Sequence, residues 1–166
     1  MQFVIFVERI WDDMTFAELV GFIKKKGSAN CHLYCVTPAN YYLAVSEQGY
    51  QGTKEEYSKI LEERYNQLKR GSKIQLHLHL SLRPEKMDQE PLFKESCKWM
   101  RERGFECEEV MWGWYLYSNE SLELSRIYGL KPTMKKGFYQ IHDYEIGPGI
   151  FGPIMILQNL RHLLRK

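Results

Sequence analysis

The sequence predicts an α/β fold of about six mainly parallel strands with surrounding helices, because short strand-like runs alternate with helical-period runs along the chain. Two further observations point the same way. The first apolar run is nearly continuous, as in a strand covered on both faces, and helix-start and helix-stop signals fall between the later runs.

Residues 2–7 form that first strand. A helix is expected from Thr15, which has capping-box spacing to Glu18; Phe16, Leu19, Val20 and Ile23 recur at helical intervals, and Lys24, Lys25, Lys26 and Gly27 close it. A second strand is expected over 29–36. Residues 38–52 are polar and aromatic, with Tyr41, Tyr42 and Tyr50, and read as an irregular loop of a length that usually serves a site. A helix over 53–69 begins at another capping box, Thr53 and Glu56. Residues 73–80 alternate as a strand, with Leu76, Leu78 and Leu80 on one side and His77 and His79 on the other. There follow a helix over 90–103, a strand over 107–111, a helix over 118–128, a strand over 137–141 and a closing helix over 154–164.

Alternation of this kind implies parallel strands joined by right-handed crossovers. About five or six such units suit an incomplete (β/α) barrel or an open sheet, and in both the site lies at the C-terminal ends of the strands.

A length of 166 residues fits one domain, 1–166. The net charge of +2 is too small and too evenly spread for the basic stripe that nucleic acid requires. No apolar run approaches the ~18 residues of a membrane span, and the N-terminus lacks the features of a secretory leader, so a cytoplasmic protein is expected. Cys31 and Cys35 lie on one strand face too far apart to bridge, and with Cys97 and Cys107 they read as buried structural thiols. There is no phosphate loop, dinucleotide fingerprint or nucleophile elbow. His32 and His162 read as structural. The apolar face of 154–164 either covers the sheet or joins a second copy as a homo-oligomer.

The chemistry concentrates on His77 and His79, two imidazoles on one strand face. Taken alone, such a pair also suits side chains that face solvent or satisfy core hydrogen bonds. His142, at the end of the last expected strand, reaches the same rim, where Asp12, Asp13 and Asp143 supply carboxylates. These are ligand types for zinc or another divalent metal ion, which suits hydrolysis of an ester or amide.

Three segments, Lys73-Ile-Gln-Leu-His77, Trp112-Gly-Trp-Tyr-Leu-Tyr-Ser-Asn119 and Phe138-Tyr-Gln-Ile-His142-Asp143, stand in this order along the chain. Together with the order of elements they resemble the polysaccharide deacetylases of NodB homology. That resemblance implies an incomplete (β/α) barrel that removes an acetyl group from an N-acetylated sugar or related amide. His77 would be the first metal histidine and His142 the acid that protonates the leaving amine. Asp12 or Asp13 would complete the metal set with His77 and His79, Asp13 or Glu8 would serve as base, and Tyr42, Trp112, Trp114 and Tyr115 would stack on the sugar.

The family's first motif, Thr-Phe-Asp-Asp-Gly, is here Phe6-Val7-Glu8-Arg9, its H-x-x-x-H is here His77-x-His79 with Ser81 in the fourth place, and its Arg near Met111 is absent. A second reading is therefore a degenerate, non-catalytic barrel that acts as a binding or assembly module. A third is another α/β enzyme, such as an amidohydrolase barrel, although there the H-x-H pair follows the first strand.

Overall fold

The computed structural model describes residues 3–80, 86–133, 139–141 and 144–147. The elements in chain order are β1 (Phe3–Val7), α1 (Asp13–Lys26), β2 (Cys31–Cys35), α2 (Tyr41–Ser46), α3 (Lys54–Leu68), β3 (Lys73–Leu78), α4 (Glu90–Glu102), β4 (Glu109–Trp112), α5 (Asn119–Ile127), β5 (Lys131–Pro132), β6 (Tyr139–Ile141) and β7 (Tyr144–Gly147).

The strands form one sheet in the order β5-β4-β3-β2-β1-β7-β6. From β1 to β5 every pairing is parallel, and each strand lies beside its predecessor. On the other edge of β1, β7 runs antiparallel, with Val4 opposite Gly147, and β6 pairs antiparallel to β7. The expected strand over 137–141 is thus β6. It reaches the parallel strands only through β7, a strand the sequence reading did not contain. The two-residue β5 was also unforeseen, because Lys131-Pro132 is too short to show a period.

Winding in one direction without reversal puts the crossing helices on a single face of the sheet. Leu19 and Ile23 of α1, Tyr57, Leu61, Tyr65 and Leu68 of α3, and Trp99 and Met100 of α4 pack with Ile5, Val7, Leu33 and Cys35. Phe93 of α4 and Leu124 of α5 pack with Leu76, Leu78, Val110 and Trp112. The opposite face presents Val4, Phe6, Tyr34 and Met111, also buried, and His77 lies in register with Met111 on that face.

Local chemistry sets the element ends. Asp12, not Thr15, caps α1: its carboxylate accepts from the Thr15 N–H at 2.8 Å and the Thr15 hydroxyl at 2.6 Å. The capping box at Thr53 forms as the spacing predicts, with the Glu56 carboxylate accepting the Thr53 N–H at 2.7 Å. Gly27, at φ 84°, ends α1 and donates its N–H to Ile23 O.

Residues 38–52 are not an irregular loop throughout. A 3-10 turn over Pro38–Asn40 leads into α2, because Leu43 and Ala44 have core to fill and Tyr50 packs against Tyr57. All four cysteines are free thiols, and burial pushes Cys97 up to about 11 and Cys107 up to about 12. No helix among the described residues is long and apolar enough to cross a membrane. The closing helix over 154–164, with His162 and the homo-oligomer reading that rests on it, lies outside the described residues.

Leu61 is fully buried at the centre of the helix-covered core. Leu61→Ala is expected to lower unfolding free energy by about 2 to 5 kcal/mol, against about 1 kcal/mol for loss of the Thr53 cap in Thr53→Ala. Urea denaturation of the two variants checks both the magnitudes and their order.

Candidate metal centre

Glu8 is the first residue after β1, and strand alternation carries its side chain to the same face as Val4 and Phe6. His77 is on β3, and His79 lies just past the end of that strand on the same side. Parallel strands place these three positions at one rim, the C-terminal one, where α/β folds concentrate their sites.

The Glu8 carboxylate joins the two imidazoles through one oxygen. Its Oε1 lies 2.9 Å from His77 Nε2 and 2.8 Å from His79 Nε2. Both histidines are almost fully buried, whereas the Glu8 side chain keeps 30% of its surface exposed, so the cluster opens to solvent on the carboxylate side.

The ring of His77 stacks on Phe6 at 5.0 Å between centroids, and its Nδ1 lies 3.1 Å from the Met111 carbonyl. A carbonyl only accepts, so Nδ1 carries the proton, and in a neutral ring Nε2 then holds a lone pair. That lone pair faces a carboxylate oxygen. Two acceptors at 2.9 Å repel unless a proton or a cation sits between them. His79 can donate from Nε2 to Glu8, but its buried Nδ1 then has no hydrogen-bond partner.

A proton on His77 Nε2 meets this conflict, but burial opposes it. Burial pushes His77 below its ordinary pKa against the opposing pull of Glu8. Burial of Glu8 acts to raise its carboxyl, yet the charge of His79 and the hydrogen bonds that both rings donate to it when protonated outweigh burial and hold Glu8 well below the usual carboxylate range.

Glu8, His77 and His79 each offer one donor atom, and the three lie within 4.8 Å of one another. Around a tetrahedral ion with bonds of about 2.0 to 2.1 Å the donors would stand roughly 3.3 Å apart. The two Glu8 edges, at 2.8 and 2.9 Å, would open by a few tenths of an ångström, and the two imidazole nitrogens, within 4.8 Å of each other, would settle at the same spacing. The donor set therefore fits zinc or a similar divalent ion.

Neighbouring residues hold His79 in place. The Asn40 side chain pairs with its backbone in both directions, donating to His79 O at 2.9 Å and accepting from His79 N–H at 3.3 Å. Tyr42 donates its hydroxyl to the same carbonyl at 3.4 Å. A Cβ at position 113 would collide with the His79 ring, so glycine is needed there. Trp114 stands edge-on to His79 at 4.9 Å with its backbone at φ 53°. A bulky residue in the left-handed region stores about 1 to 3 kcal/mol of strain, a cost tolerated most often beside functional sites.

The structure reassigns several expected site residues. Asp12 does not join the cluster: its carboxylate caps α1. Asp13 is neither ligand nor base at this cluster: it is highly exposed and paired with Arg64. Glu8, expected only as a base, is the carboxylate that meets the two histidines instead. Trp112 is fully buried on the helix-covered face, away from His77, and cannot stack on a ligand at the rim. Tyr42 and Trp114 do adjoin the cluster. His142 and the side chain of Tyr115 lie outside the described residues. His32 is at the other end of the sheet, opposite Val4 and Lys73. Asn40 and Gly113 went unrecognised in the sequence, where they read as ordinary turn residues.

The chain matches no family model, no curated protein and no solved structure.

Because His77 and Glu8 are both held below their ordinary values of 6.5 and 4.5, the native state binds fewer protons than the unfolded chain on acidification. In metal-free protein their stabilisation is complete above about pH 6.5. It falls as His77 and then Glu8 are driven toward protonation. Urea midpoints measured from about pH 8 down to about pH 5 are expected to decline in the parent protein and to decline less in His77→Gln.

Proposed function

We propose that this protein is a metal-dependent hydrolase that cleaves an acyl group from an amide, with an N-acetylated sugar or related amide as substrate. The observation that carries the reading is the single Glu8 oxygen held at 2.9 and 2.8 Å from two imidazole nitrogens, an arrangement a divalent ion relieves. Support for the NodB-like, partial-barrel form of the fold comes from the sequential parallel order β1 to β5 with the crossing helices on one face. The His77 segment and the rim position of the cluster agree with the resemblance seen in the sequence.

Glu8, His77 and His79 would hold the ion, a two-histidine, one-carboxylate set of the kind that leaves a position open in catalytic zinc sites. A divalent ion bound there would polarise the substrate carbonyl and acidify a water for attack on it. The Met111 carbonyl keeps His77 in the tautomer whose Nε2 is free to bind. Trp114 limits water on the His79 side, and the exposed Tyr42 offers a face to the substrate beside it. With Glu8 occupied as a ligand and Asp13 turned away, the role of leaving-group acid falls to His142, as the resemblance implies.

The second reading, a binding module without turnover, is favoured by the same reassignment, because Asp13 is paired with Arg64 and Glu8 with the histidines, which leaves neither carboxylate expected as base free to act.

Elemental analysis of protein purified without a histidine tag is expected to find a divalent metal, and zinc titration of stripped protein a single site. His77→Ala and Glu8→Gln should each weaken zinc binding by more than about 100-fold, since even the outer partners of metal ligands are worth about 10 to 100-fold. Chelation should abolish release of acetate from acetylated amino sugars, and added zinc should restore it. Parent protein that takes up no metal in excess zinc would sink the proposal. Tight zinc without acetate release from any acylated amide would leave the binding module.

A further inference from the structure

We infer that Asn40 is a positioning residue for the metal centre, fixing the peptide plane of His79 so that its ring presents Nε2 to Glu8; this rests on the metal reading above. His79 follows the last residue of β3, where the parallel ladder has ended. Its N–H and C=O would otherwise be left in a buried place without strand partners, which protein interiors rarely allow.

Asn40 supplies both partners. It ends the 3-10 turn that follows β2, is itself 1% exposed, and faces His79 with Nδ2 donating at 2.9 Å and Oδ1 accepting at 3.3 Å. A carboxamide matches the donor and acceptor pattern of a peptide group, so its side chain stands in for one more residue of a neighbouring strand. Asp cannot donate, and an aliphatic side chain can do neither.

Once the backbone of His79 is held, its ring has little freedom. Gly113 lies against it, Trp114 meets it at 4.9 Å and the ring of His77 at 4.6 Å. The Nδ1 side is closed off without a hydrogen bond, so no partner on that nitrogen holds the orientation, unlike His77 with its bond from Nδ1 to Met111. Metal-bound histidines are ordinarily steered through the other ring nitrogen. Here the steering is applied through the main chain instead.

The test is zinc affinity and the visible spectrum of the cobalt(II) form for the parent, Asn40→Asp and Asn40→Ala, at a temperature where circular dichroism shows each to be folded. Asn40→Asp keeps the acceptor for the His79 N–H but sets an oxygen against the His79 carbonyl. Both variants are expected to bind zinc about 10 to 100-fold more weakly, with an altered cobalt spectrum. Unchanged affinity and spectrum in a folded variant would overturn the positioning role and leave the metal site standing. Parent protein that binds no zinc would remove the metal reading itself. If neither variant folds, Asn40 is a folding contact and the inference fails.

Discussion

The crossings from β1 through β5 run in one direction, and the resulting one-sided burial underlies the rest of the molecule. Four helices, α1, α3, α4 and α5, must cover the same face, so that face is the main apolar core, from Ile5 and Leu33 to Leu78 and Trp112. The other face is then available for side chains that a core would not accept. Gln75, His77 and His79 are buried there along or just beyond one strand while Leu76, Leu78 and Leu80 alternate with them into the helical layer. A one-residue slip of β3 would exchange the two sets and put imidazoles into the core.

The site inherits its order from that frame. Neighbouring parallel strands end at one rim, which brings a carboxylate from the end of β1 to two imidazoles from the end of β3, although β2 lies between them. Each partner is then oriented by something rigid: His77 by the backbone of β4 through Met111 and by the ring of Phe6, His79 by Asn40 from the turn after β2. The strain at Trp114 fits this picture. The turn after β4 must pass close enough to His79 to exclude a Cβ at Gly113, and the next residue takes up the left-handed backbone.

Stored electrostatic conflict links the frame to chemistry. A buried histidine held below its ordinary pKa, a carboxylate held ionised by the two imidazoles and a second histidine without an Nδ1 partner meet at one rim. In the proposed metal site these groups would be set in place before an ion arrives.

Much of this was legible in the residues themselves. Strand alternation alone put His77 and His79 on one side of β3, and the apolar periods of α1, α3, α4 and α5 located the helices, because a 2.0 or 3.6 residue repeat is a local property of the chain. The Thr53 cap was legible for the same reason. What depended on contacts between distant segments was not. Asp12 and Asp13 looked like ligands because they follow β1, but a helix start and Arg64, fifty-one positions from Asp13, use them first. Trp112 looked like a sugar platform until strand register turned it into the core. Glu8 as ligand, Asn40 as a substitute strand partner and Gly113 as the space for an imidazole have no signature along the chain. Each is defined by what lies opposite it, and only the folded sheet brings those partners within hydrogen-bonding or van der Waals reach.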